Sequence, residues 1–158
     1  MPTNLLKTVK TPCIGVCSTG IGDAVCRGCK RYAHEVIHWN SYNQQQKQLI
    51  DGRLTDFLSQ IVASKLTVVD ANKLRWHLDT QNIPYVAHKG PYTWAYELLR
   101  AGASQIDCVD DYGLQLDAQY CGQSLVALRL AIDNEFFILS QAHYERYFDV
   151  ASTQQVTV

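Results

Sequence analysis

Apolar residues recur at helical spacing in the second quarter of the chain. Leu49, Ile50, Leu54, Phe57, Leu58, Ile61 and Val62 fall on one side of a continuous segment. Ser41-Tyr42-Asn43-Gln44 precedes it as a capping-box pattern, S-x-x-Q. The first turns (Gln44, Gln45, Gln46, Lys47, Gln48) are polar. The pattern predicts a long helix with a solvated start and a packing face further on. A shorter helical pattern, Lys30 to Trp39, lies ahead of it.

Beyond residue 64 the pattern changes. Leu66-Thr67-Val68-Val69 reads as a short buried strand. Asp70 is placed to cap a helix from about Ala71 to Gln81, with Leu74 and Leu78 facing inward and Asn82 as its stop. Ile83–Ala87 reads as a second strand. Gly90-Pro91 opens another helix, in which Trp94, Ala95, Leu98 and Leu99 share a face and Gly102 marks the end. Ile106–Val109 and Leu114–Ala118 alternate weakly around Gly113. Val126, Leu128, Leu130 and Ile132 alternate as in a strand, Asp133-Asn134 suits a tight turn, and Glu135–Ser140 returns, so the expectation is a β-hairpin. A continuous helix from Ser124 to Phe148 competes with it, because Leu/Ala-rich runs fit both periods. A short helix around His143–Phe148 and a loose tail, 151–158, complete the reading.

These elements give an α+β class: an N-terminal module with helices over 1–64, then a small mixed domain over 65–150 with an antiparallel sheet. The second part is expected to have its own core, to which the stripe Leu49–Val62 contributes if the boundary lies ahead of that helix. The 158 residues are enough for one domain or two small ones. Apolar residues at 47% and charged residues at 18% exclude a disordered chain. No run approaches the ~18 apolar residues of a membrane span. The segment MPTNLLKTVKTPC lacks a signal peptide's apolar core, so the expected location is cytoplasmic, with no membrane partner.

Charge and cysteine divide the chain in the same way. Residues 1–64 carry a net +3 and residues 65–158 a net −4, within an overall −1 that excludes a uniformly basic nucleic-acid binder. Four of the six cysteines, Cys13, Cys17, Cys26 and Cys29, stand in the order C-x3-C-x8-C-x2-C. Disulfides are disfavoured in a reducing cytoplasm, and a glycine-rich loop with four thiols then points to one metal centre. Zinc takes four thiolates tetrahedrally and holds such a segment folded, while the same donors serve an iron–sulfur cluster. The helix starting near Cys29 favours zinc, with the iron–sulfur cluster as the alternative. His34 and His38, at i and i+4, read as partly exposed side chains rather than ligands. Lys7, Lys10, Arg27, Lys30 and Arg31 read as a solvated face that offsets thiolate charge.

Pro12-Cys13-x3-Cys17, Cys26-Arg27-Gly28-Cys29-Lys30-Arg31, then Glu35, Trp39-x-Ser41 and a helix to Leu54, resemble the DUF1289 family over about residues 10–58. These are short bacterial proteins of unknown function, often labelled predicted iron–sulfur proteins. The resemblance implies a four-cysteine metal centre at Cys13, Cys17, Cys26 and Cys29 and implies no reaction. It does not reach the last hundred residues.

The remaining chemistry is sparse. The chain has no G-x-G-x-x-G, Walker A, G-x-S-x-G or H-E-x-x-H motif. Cys108 and Cys121 read as buried small apolar residues. Asp107, Asp110, Asp111 and Asp117 read as a solvated loop without EF-hand spacing. Tyr85, His88, Tyr92, Trp94 and Tyr96 crowd one region, where packing explains Trp94 without a ligand. The expected function is a small metal-binding module with a protein or nucleic-acid partner, its metal mainly structural. The alternatives are an iron–sulfur electron-transfer protein and a small enzyme with its site in the 85–96 region.

Overall fold

The computed structural model describes residues 9–15 and 17–148. The expected tail 151–158 and Lys7 lie outside them. The fold is α+β, with five α-helices and one two-stranded sheet among the described residues. Helix α1 is Ala33–His38 and α2 is Gln44–Ala63; strand β1 is Leu66–Val68; α3 is Ala71–Thr80 and α4 is Pro91–Gly102; strand β2 is Leu114–Leu116; α5 is Leu125–Tyr147. Short 3₁₀ turns join them. Two compact units emerge. One is built on residues up to Leu54 together with those from Phe136 onward, and the other on Thr55–Glu135.

Helix α2 starts two residues later than its sequence pattern suggests. Asn43, not Ser41, forms the reciprocal cap: Gln46 N–H donates to Asn43 Oδ1 at 2.8 Å and Asn43 N–H to Gln46 Oε1 at 2.9 Å. Ser41 closes the preceding turn by donating to the His38 carbonyl. Along α2, Ile50, Leu54, Ile61 and Val62 are buried as expected, whereas Leu49 is 76% exposed.

In the unit Thr55–Glu135, β1 and β2 pair antiparallel, with Leu66 opposite Leu116 and Val68 opposite Leu114. The Asp70 carboxylate caps α3 by accepting from Lys73 N–H, and Leu74 and Leu78 are fully buried. Asn82 ends this stretch at a φ of 56°, and Pro91 sits in the first turn of α4, whose buried residues include Trp94, Ala95, Leu98 and Leu99. Two strand expectations fail here. Ile83–Ala87 forms no strand: Ile83 N–H closes the end of α3 on the Leu78 carbonyl, and a 3₁₀ turn follows at Ala87–Lys89. Ile106–Val109 likewise leads into a 3₁₀ turn, Val109–Tyr112.

The largest correction is the C-terminal third. The hairpin expected over Ser124–Ser140 is one continuous helix, α5, which also absorbs the short helix expected at His143–Phe148. Ser124 starts it, its hydroxyl accepting from Ala127 N–H and its carbonyl from Leu128 N–H. Burial decides the period. Leu128 and Ile132, four apart, are buried, while Leu130, which a strand would place on the same face as both, is 54% exposed. Asp133-Asn134 also lacks the glycine that eases a two-residue turn.

Gly113 is the tightest joint of this unit. Its carbonyl accepts from the N–H groups of Val69 and Asp70, its φ is +76°, and a Cβ there would lie 2.4 Å from the Asp70 carbonyl oxygen. Gly113→Ala is therefore expected to destabilise the protein by about 2 kcal/mol or more, combining left-handed strain with a backbone clash. Urea denaturation tests this, and a loss below 0.5 kcal/mol (roughly the noise of a surface change) would refute it.

Candidate metal centre

The four clustered cysteines lie in two settings. Cys26 and Cys29 are buried, and Cys13 and Cys17 are exposed. No disulfide joins any of the six cysteines. Among the described residues no three His, Cys, Asp or Glu side chains are grouped as a metal site.

The buried pair is carried by a tight turn. Cys26 N–H donates to the Arg31 carbonyl and Lys30 N–H to the Cys26 carbonyl, each at 2.8 Å, and Val25 bridges Tyr32 as an isolated antiparallel pair. Lys30 closes the turn at a φ of 66°, in the left-handed region that non-glycine residues seldom adopt, so the helix expected from Lys30 begins only at Ala33 and its first turn does not reach Cys29. Its ammonium, folded back on the turn, donates to the carbonyls of Arg27 and Gly28, at 2.6 and 3.1 Å, and lies 5.5 Å from the Phe136 ring centroid.

Both buried sulfurs have hydrogen-bond partners suited to a thiolate. Burial alone pushes the Cys26 thiol up; hydrogen bonds with the backbone of Cys29, Ser18 and Gly28, and with the Cys29 side chain, outweigh it and bring the group down to about 7. For Cys29 burial prevails and the thiol rises, although Arg31 opposes it, its Nε donating to Cys29 Sγ at 3.2 Å. Of the outer pair, Cys13 Sγ accepts from Gly15 N–H at 3.4 Å, and Cys17 Sγ shares a hydrogen bond with the Thr19 hydroxyl at 3.0 Å. The donor chemistry of the Cys26–Cys29 half fits a thiolate-bound metal. Cys13 and Cys17, close by in sequence on an exposed segment, would supply the other two ligands.

The flanking cations do not form one solvated face. Lys30 and Arg31 are buried. Arg27 remains exposed but pairs with Asp23 at 3.3 Å, with its guanidinium over the Phe137 ring. His34 packs against the Tyr32 and Phe148 rings, and His38 is exposed beside Tyr42.

A second cluster lies beside the turn, and of its residues only Glu35 stood out in the sequence, as part of the family resemblance. Glu35 accepts from Tyr32 N–H at 2.9 Å and forms a two-pronged pair with Arg53, at 2.6 and 2.7 Å, while the Arg53 guanidinium lies 4.1 Å from the Tyr32 ring centroid. Tyr32, fully buried, extends its hydroxyl 2.5 Å from His143 Nδ1 on α5, across 111 residues of sequence. Burial pushes the Tyr32 phenol up to about 12, so it is the donor and neutral His143 the acceptor. Burial, aided by Arg53 and Arg146 against Glu35, lowers His143 below the ordinary histidine range. A depressed histidine leaves the unfolded chain binding more protons. The stability it contributes is full above pH ~7.5 and falls as pH drops through about 6.5 toward the folded value. His143→Gln should flatten that part of the stability–pH curve measured by urea denaturation. An unchanged slope between pH 7 and 5 would show that His143 is not its source.

In the unit Thr55–Glu135, Cys108 and Cys121 are exposed, against the expectation of burial. Each flanks a 3₁₀ turn, where its thiol finds a polar acceptor: Cys108 the Asp110 carboxylate, Cys121 the Leu116 and Asp117 carbonyls. Both line a cleft of about 720 Å³ that also includes Asp70, Lys73 and Asp107. In the 85–96 region, Trp94 is buried and its indole N–H donates to the Val86 carbonyl at 3.0 Å. The Tyr85 hydroxyl accepts from Arg75 and donates to Asp79, and His88 is exposed. Among the described residues no helix is long and apolar enough to cross a membrane.

No curated protein and no solved structure matches the chain. Residues 11–57, which hold the four clustered cysteines and the Tyr32–Glu35–Arg53 cluster, match the family described as Protein of unknown function (DUF1289).

Proposed function

We propose that the chain is a small metal-holding module whose ligands are Cys13, Cys17, Cys26 and Cys29, with zinc as a mainly structural metal. The observation that carries this reading is the pairing of a buried guanidinium with a buried cysteine sulfur, Arg31 Nε to Cys29 Sγ. A buried cation is stabilised by a partner that carries negative charge, and a metal-bound thiolate sulfur retains such charge where a neutral thiol does not. When bound, zinc supplies four bonds that tie the glycine-rich loop to the Cys26–Cys29 turn, and no redox step. The chain's own part is to bury two sulfurs, direct hydrogen bonds at them and carry Cys13 and Cys17 on the glycine-containing segment just ahead of them. The reading includes a cytoplasmic location and a protein or nucleic acid as partner.

The test is absorbance with metal and sulfide analysis on protein purified without air. The expected result is colourless protein with about one zinc per chain. Serine at any one of the four cysteines should lower the metal content, and serine at Cys108 or Cys121 should not. Full metal occupancy in the double variant Cys26→Ser, Cys29→Ser would overturn the ligand set. Brown protein with stoichiometric iron and sulfide would replace the structural reading with an electron-transfer one.

A further inference from the structure

We propose that Arg31 is a positioning residue of the cysteine centre: its guanidinium, held between the Cys29 sulfur and the Trp39 ring, orients that sulfur, offsets its charge and sets how tightly metal is retained. This rests on the reading of Cys29 as a metal ligand. Arg31 is only 3% exposed, although an arginine is seldom fully buried without a partner. Its Nε donates to Cys29 Sγ at 3.2 Å, and its guanidinium carbon lies 4.9 Å from the Trp39 ring centroid.

Trp39 is itself buried, so the ring is a fixed platform. It also has the Lys47 ammonium 5.5 Å from its centroid. The backbone adds a further constraint, because the Arg31 carbonyl accepts the Cys26 N–H and ties residue 31 to the other buried cysteine. Residue 31 is thus linked to both cysteines of the C-x-x-C pair, through its side chain to one and its main chain to the other.

A hydrogen bond to a ligating sulfur orients its lone pairs and spreads its negative charge. Four thiolates on a divalent metal carry a net double negative charge, which a buried guanidinium partly offsets. Lysine would keep the charge without the planar, directional Nε–H or the stacking on Trp39. Glutamine would lose the charge as well.

The test uses cobalt(II) as the probe on the metal-stripped full chain, reading its dissociation constant and its sulfur-to-metal charge-transfer band. Arg31→Gln is expected to weaken cobalt binding about 10- to 100-fold and to move the band to longer wavelength, because a sulfur freed of its hydrogen bond gives up electron density more readily. Arg31→Lys is expected to fall between wild type and Arg31→Gln in affinity and to show the same direction of band shift. A merely structural role would lower the folded fraction without moving the band of the molecules that bind. Should Arg31→Gln fail to fold by circular dichroism, the band position in Arg31→Lys decides. Wild-type binding with unchanged affinity and band in both variants overturns the role of Arg31 alone. A wild-type chain that binds no cobalt overturns the metal reading, and this inference with it.

Discussion

Arg53→Met is expected to lower stability by about 3–5 kcal/mol, the cost of leaving a buried carboxylate without its cation. Glu35 and Arg53 side chains are 6% and 16% exposed, and the guanidinium grips both carboxylate oxygens. Methionine retains apolar contact with the Tyr32 ring, so the variant isolates the charge rather than the packing. The double variant Glu35→Gln, Arg53→Met separates the two further. Glutamine still accepts the Tyr32 N–H as part of the cap, but carries no charge to strand. It is expected to recover more than half of the loss, so that the two substitutions are strongly non-additive. Urea denaturation of the four proteins provides the cycle. A loss under about 1 kcal/mol in Arg53→Met would place the pair in the weak class of exposed ion pairs and refute the argument.

Trp94→Ala is expected to cost about 3–5 kcal/mol, as for other large aromatic truncations in cores. Trp94 is buried on α4 among residues that include Ala95, Leu98 and Leu99, and its ring centroid lies 5.3 Å from that of Tyr85. Trp94→Phe should be milder, about 1–3 kcal/mol, from lost volume and the lost indole hydrogen bond to the Val86 carbonyl, which keeps its bond from Lys89 N–H. A loss within about 0.5 kcal/mol, the range of surface substitutions, would refute the packing role of Trp94. The polar groups there are already engaged with one another, Arg75 with Tyr85 and Tyr85 with Asp79, which supports packing.

The sequence by itself determined what depends on neighbours a few residues apart. The Asp70 cap, the Pro91 start of α4, the burial of Leu74, Leu78, Trp94 and Leu98, and the β1 segment were all legible, because caps and helical spacing are local. The cysteine spacing and the family resemblance over residues 11–57 were legible for the same reason. Tertiary structure decided the rest. Val126–Ile132 fits alternation and helical spacing equally, and only packing, which buries Leu128 and Ile132 while leaving Leu130 exposed, selects the helix. Ile83–Ala87 has strand-like composition, but a strand needs a hydrogen-bonded partner, and β1 pairs with β2 instead. Lys30 and Arg31 read as surface cations, and their burial follows from a turn that folds one onto its own carbonyls and the other onto Cys29 and Trp39. Tyr32 and His143 meet across 111 residues, a contact that no local pattern encodes, because it exists only once α5 packs against the cysteine turn.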